Sequence, residues 1–173
     1  MATGDSLLQF NALDGVATAT LYATMDFVVG ASTPVESVPV LDFDDTTQEY
    51  IDFYGVMPEH YDGGGLTCII MYSAAQAATD VVEWQLAFRR VADDAEDLDT
   101  TAHTYVYNAV VDTAPSVVGE VGYATITFTD GADMDSLAVG EYFILRATRD
   151  PSPSSGTDVT GDASIHAIHI KET

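Results

Sequence analysis

Apolar and polar residues alternate along most of this chain, in short runs broken by clusters of Gly, Pro, Asp and Ser. A period of two marks a strand with one face turned to a core. Over 81–91, Val82, Trp84, Leu86 and Phe88 share one face, and Glu83, Gln85 and Arg89 the other. Over 121–129, Gly122, Ala124, Ile126 and Phe128 oppose Tyr123, Thr125, Thr127 and Thr129. Over 141–149, Phe143, Leu145 and Ala147 oppose Tyr142, Ile144, Arg146 and Thr148; Ile51 and Phe53 likewise oppose Tyr50, Asp52 and Tyr54. The same reading places strands over 6–11, 16–23, 37–43, 48–55, 66–73, 103–112 and 164–171. The expected fold is all-β: a β-sandwich or jelly roll of about 8–10 antiparallel strands, with at most one short helical turn.

That turn is expected over 132–137, capped by Asp130 and ended by Gly140. Residues 73–79 favour helix by propensity but form too short a run, and read as a loop able to carry one turn. Gly63, Gly64 and Gly65 mark a tight turn, 93–99 an acidic loop, and 150–158 a turn-rich excursion. The chain before residue 37 is the least regular. It reads as an irregular N-terminal arm or edge strands (1–36) ahead of a β-sandwich domain (37–173).

Composition adds three constraints. With 173 residues and 47% hydrophobic residues, the chain can bury a core without disulfides or metals. The single cysteine, Cys68, lies in the apolar run Leu66-Thr67-Cys68-Ile69-Ile70 and reads as a core residue. The longest apolar runs fall far short of the ~20 residues of a membrane-spanning helix. The first residues lack the basic and apolar regions of a signal peptide, so synthesis in a cytoplasm is expected.

Charge is the most unusual property: 28 acidic residues face 5 basic ones, for a net −23. Such a surface repels phosphate backbones, so neither nucleic acid nor membrane is expected as a partner. Two accounts of the acidity stay open, a basic partner or a high-salt environment that screens self-repulsion.

No motif for catalysis or a cofactor is present: no Gly-x-Ser-x-Gly, no phosphate-binding glycine loop, no Cys–His arrangement. His166 and His169, three apart on one strand, point to opposite faces unless a bulge intervenes. His60 reads as a loop histidine. Asp42, Asp44 and Asp45 form one acidic cluster. Asp93, Asp94, Asp97 and Asp99 form a second and are the candidates for a cation, although neither run has calcium-loop spacing and a solvated loop accounts for both. No catalytic residue and no cofactor is assigned. The outward tyrosines Tyr50, Tyr54, Tyr105 and Tyr107 are candidates for a sugar platform or a protein interface.

Residues 41–53 with 58–66, the run Val82-Glu83-Trp84-Gln85-Leu86-Ala87-Phe88 and the run 130–137 together resemble small β-sandwich proteins of tailed bacteriophages. The resemblance covers 40–172. It implies a non-enzymatic virion component at the capsid surface, a decoration (cement) protein that binds between subunits of the major capsid protein, commonly as a homotrimer. The N-terminal arm would then reach a neighbouring subunit. The alternative reading is a carbohydrate- or receptor-binding β-sandwich of a phage fibre, with calcium at an acidic loop.

Overall fold

The computed structural model describes residues 4–76 and 79–173, and within them the chain is all-β. Eleven strands form: β1 (Ser6–Asn11), β2 (Val16–Ala17), β3 (Thr24–Val29), β4 (Ser37–Phe43), β5 (Tyr50–Val56), β6 (Leu66–Ala74), β7 (Val81–Val91), β8 (Asn108–Thr113), β9 (Gly122–Phe128), β10 (Tyr142–Asp150) and β11 (Ala163–Glu172). They make two antiparallel sheets, ordered β3-β4-β11-β6-β9 and β2-β5-β10-β7-β8, with β1 also paired to β11. The two sheets make a jelly-roll-like β-sandwich.

The inward faces are those the alternation indicates. Val82, Trp84 and Leu86 of β7 and Phe143, Leu145 and Ala147 of β10 are fully buried, against Cys68, Ile70 and Tyr72 of β6. Burial pushes the Cys68 thiol well up, so it is a packed, inert group. Aromatic edges lock the sheets together: Phe43 meets Trp84 at 5.3 Å and 85°, and Phe88 meets Phe128 at 5.0 Å and 80°. Each such contact contributes about 0.5–1.5 kcal/mol beyond its buried area. Gly55 is needed on the inward face of β5, because a Cβ there would sit 2.8 Å from the Phe143 ring.

Four expectations change. The strand expected over 16–23 shrinks to β2, and the missed strand β3 follows it. The segment before residue 37 supplies β1, β2 and β3, with Leu7, Phe10 and Ala12 buried in the core. The strand expected over 103–112 begins only at Asn108, because 92–107 runs across a sheet face instead of joining its ladder. The turn near residue 132 is a 3-10 turn, Ala132–Met134, capped by Gly131 rather than Asp130; the Asp133 carboxylate meanwhile accepts from Thr129 and Asn108. Of the loop at 73–79, residues 77 and 78 lie outside the described residues.

β11 carries a bulge between Ile165 and Ala167. One edge of β11 pairs β4 through Ala163–Ile165 and β1 through Ala167–Lys171, so the bulge falls where one partner strand hands over to the other. It also resets the alternation. Ile165, Ile168 and Ile170 are all buried, while His166 and His169 both lie outside the core. They are nonetheless held apart, His166 by Ser73 at 2.9 Å and His169 by Ser6 at 2.7 Å.

Candidate functional site

The outward face of the sheet β2-β5-β10-β7-β8 gathers most of the side chains with binding chemistry. Register decides the arrangement. Arg146 of β10 lies opposite Asp52 of β5 on one side and Ala87 of β7 on the other. The guanidinium therefore forks onto the Asp52 carboxylate, Nε to Oδ1 at 2.7 Å and Nη2 to Oδ2 at 2.8 Å. Asp52 is 6% exposed, so the pair is largely withdrawn from water.

The flat faces of the guanidinium meet aromatic rings. Cζ of Arg146 lies 4.0 Å from the Tyr105 ring centre and 5.7 Å from that of Tyr50. Tyr105 comes from the segment 92–107, which has no regular structure yet alternates: His103, Tyr105 and Tyr107 are half-buried, Thr104 and Val106 exposed. The Tyr105 and Tyr107 rings are 6.1 Å apart, and His103 meets Tyr105 edge-on at 4.8 Å. Burial raises the Tyr105 phenol and pushes that of Tyr107 up to about 12, so both stay neutral hydrogen-bonding groups. Arg89 anchors the segment through Glu96, with Nη2 at 2.8 Å from Oε2.

At one end of this face two rings are open to solvent. Tyr54 and Tyr142, diagonal neighbours across β5 and β10, are 41% and 38% exposed, with centroids 6.4 Å apart and planes within 19° of parallel. Val56, also exposed, extends the apolar strip. Beside Tyr142 lies a depression of about 390 Å³ lined by Val91, Ala92, Asp93, Asp94, Gly140 and Glu141. That volume lies within the range of small-molecule clefts. Each arginine near this face is matched by a carboxylate: Arg146 by Asp52, Arg89 by Glu96, and Arg90 by Glu141 at 2.8 Å. Asp93 and Asp94, matched by no arginine, add negative charge at the depression.

The outward tyrosines Tyr50, Tyr54, Tyr105 and Tyr107 therefore share one face, and Tyr142 joins them. The acids are more dispersed. Asp93, Asp94, Asp97 and Asp99 are all exposed; Asp97 accepts from the Asp99 N–H at 3.3 Å, and hydrogen bonds from Asp99 and Thr100 hold its carboxyl below the usual range. Asp44 closes its own loop by accepting from the N–H groups of Thr46 and Thr47. Asp45 accepts from the Gly161 N–H at 2.6 Å. Asp42 is partly buried, and desolvation raises it. His60 approaches the Ser6 carbonyl at 3.4 Å.

No protein-family model matches the sequence, and no curated protein is significantly similar to it. Likeness is found among solved structures. A family 35 carbohydrate binding module from Clostridium thermocellum superposes with a TM-score of 0.59 at 12% identity, covering 98% of this chain and 100% of that one. The CBM22-1 xylan-binding domain from Paenibacillus barcinonensis Xyn10C gives 0.49 at 9% identity, over 99% and 97%. The xylan-binding module CBM15 gives 0.48 at 12% identity, over 98% of each chain. At these identities the likeness is one of fold. Of the resemblance to phage proteins, the likeness to the family 35 module supports the small β-sandwich fold, and it indicates neither a phage origin nor a capsid role.

Proposed function

We propose that this chain is a non-catalytic carbohydrate-binding β-sandwich that holds its ligand on the tyrosine face. The observation that carries this is the exposed, near-parallel Tyr54–Tyr142 pair beside the Arg146–Asp52 pair. A sugar ring offers an apolar face of C–H groups and a rim of hydroxyls. The tyrosine rings suit the first, and the phenols, guanidinium and carboxylate suit the second. A chain of net charge −23 repels anions, which favours an uncharged polyol as the ligand. The shared architecture with a carbohydrate binding module supports this reading.

The test is a screen against neutral polysaccharides, followed by calorimetry on each hit. Tyr54→Ala and Tyr142→Ala should each weaken binding about tenfold, near 1.4 kcal/mol, with unfolding unchanged. A folded protein that binds no glycan ends this reading.

A second reading, docking to protein as a shell decoration subunit, is favoured by one feature. The β3–β4 hairpin exposes Met25, Phe27, Val28, Val29, Val35 and Val38. Deleting the first 35 residues would not test it, because Leu7 and Phe10 belong to the core. Solution mass does: a homotrimer that Phe27→Asp converts to monomer supports docking by the hairpin, and a monomeric parent chain removes that support.

A further inference from the structure

We propose that Glu96, His103 and Asp135 form a site for one zinc-class divalent metal ion, which fastens the 92–107 segment over the Arg146–Asp52 pair. The three residues come from two separate parts of the chain. Glu96 and His103 belong to the crossing segment, and Asp135 to the loop that follows the 3-10 turn Ala132–Met134. Each offers one ligand atom, and the three atoms lie within 4.8 Å of one another. His103 Nε2 and Asp135 Oδ2 are already 3.9 Å apart. Ligand bonds of about 2.0–2.2 Å place tetrahedral ligand atoms about 3.3–3.6 Å from each other, so a spread of up to 4.8 Å closes with a contraction of at most about 1.2–1.5 Å, within reach of side-chain rotation.

The surroundings hold each ligand in place as metal sites require. Arg89 fixes Glu96 through Oε2, at 3.1 Å from Nε and 2.8 Å from Nη2, and leaves Oε1 free to turn toward a cation. The Arg90 N–H holds Asp135 at 2.9 Å. Tyr105 packs edge-on against the His103 ring at 4.8 Å. All three ligands are half-buried, which permits an ion to exchange with solvent while limiting competition from it.

Ligand chemistry selects the ion. One imidazole and two carboxylates suit zinc and its first-row neighbours, with a fourth position for water. Calcium takes six to eight oxygens, and three side chains including a histidine are a poor set for it. The acidic-loop aspartates Asp93, Asp94, Asp97 and Asp99 are not part of the set. Glu96 is the member of that loop that turns inward. A bound ion would tie the segment carrying Tyr105 and Tyr107 to the loop after β9, closing it onto Arg146.

The test uses the full chain stripped of metal with a chelator. Zinc is titrated calorimetrically at high salt with excess magnesium, conditions that screen and occupy the scattered surface carboxylates. One ion per chain is expected, with cobalt(II) substitution giving visible absorption from a low-coordinate site. His103→Gln and Asp135→Asn should each weaken zinc at least as much as loss of an outer partner does, roughly 10- to 100-fold, while far-ultraviolet circular dichroism stays that of the parent. Zinc should also slow amide exchange across 98–107 in the parent chain and not in His103→Gln. Weak binding of several ions that is insensitive to His103→Gln overturns the proposal, as does the absence of zinc binding. If either variant fails to fold, the cobalt spectrum and exchange pattern of the parent chain decide.

Discussion

Replacing Arg149 with methionine should cost more stability than any other single change to the sandwich, about 3–5 kcal/mol. Arg149 follows Phe143, Leu145 and Ala147 on the inward face of β10 and is completely buried. Its guanidinium donates to the carbonyls of Phe43 at 3.1 Å, Gly161 at 2.8 Å and Val159 at 2.6 Å, and to Asp158 Oδ2 at 2.8 Å. It thereby joins the end of β4 to the loop entering β11. Methionine roughly fills the volume but leaves three carbonyls and one carboxylate without their donor. Burial already raises Asp158, and loss of the cation raises it further. Urea unfolding followed through the buried Trp84, the only tryptophan, checks this. At about 2 kcal/mol per molar, the midpoint should fall by roughly 1.5–2.5 M. Asp158→Asn in the same chain should restore part of the loss, because it removes the stranded charge. An unchanged midpoint in Arg149→Met would show that the network contributes nothing.

Arg149 also shows how far the pattern of the sequence reaches. Its parity with Phe143, Leu145 and Ala147 marks it as inward-facing, so its burial follows from the alternation, but its four acceptors come from segments that only the fold brings close. The sandwich itself is legible because strands with one buried face must alternate. β3 is not, because all six of its residues, Thr24–Val29, are exposed and no side of the strand is selected for a core. Residues 103–107 mislead in the opposite way. They alternate because one side of an extended segment lies against a sheet face, and that is indistinguishable in sequence from membership of the ladder. The β11 bulge leaves no mark either, yet it decides which way His166 and His169 point. The tyrosine face is readable from parity alone, since Tyr50, Tyr54 and Tyr142 fall on outward positions. The Arg146–Asp52 pairing requires the β5–β10 register, and the meeting of Glu96, His103 and Asp135 requires the tertiary fold, so neither is visible beforehand.

Arg146→Ala is the second large effect, and it separates the two roles of the tyrosine face. The truncation strands the Asp52 carboxylate at 6% exposure and removes the surface on which Tyr105 rests at 4.0 Å. About 2–4 kcal/mol of stability should be lost, less than for Arg149 because the Arg146 side chain is 23% exposed. The loss should be uneven. Tyr105 and Tyr107 contact the sheet through Arg146, so amide exchange should rise across 98–107 and along β5, while the far sheet keeps its protection. Arg146→Lys preserves the charge but offers neither a fork for both carboxylate oxygens nor a plane for the rings, so it should recover less than half of the loss. Glycan affinity should fall in both variants if the Arg146–Asp52 pair meets the hydroxyl rim of the sugar, whereas Tyr54→Ala should lower affinity without touching exchange at 98–107. If Arg146→Ala leaves both stability and exchange at the parent values, the Arg146–Asp52 pair is not what holds the crossing segment to the sheet.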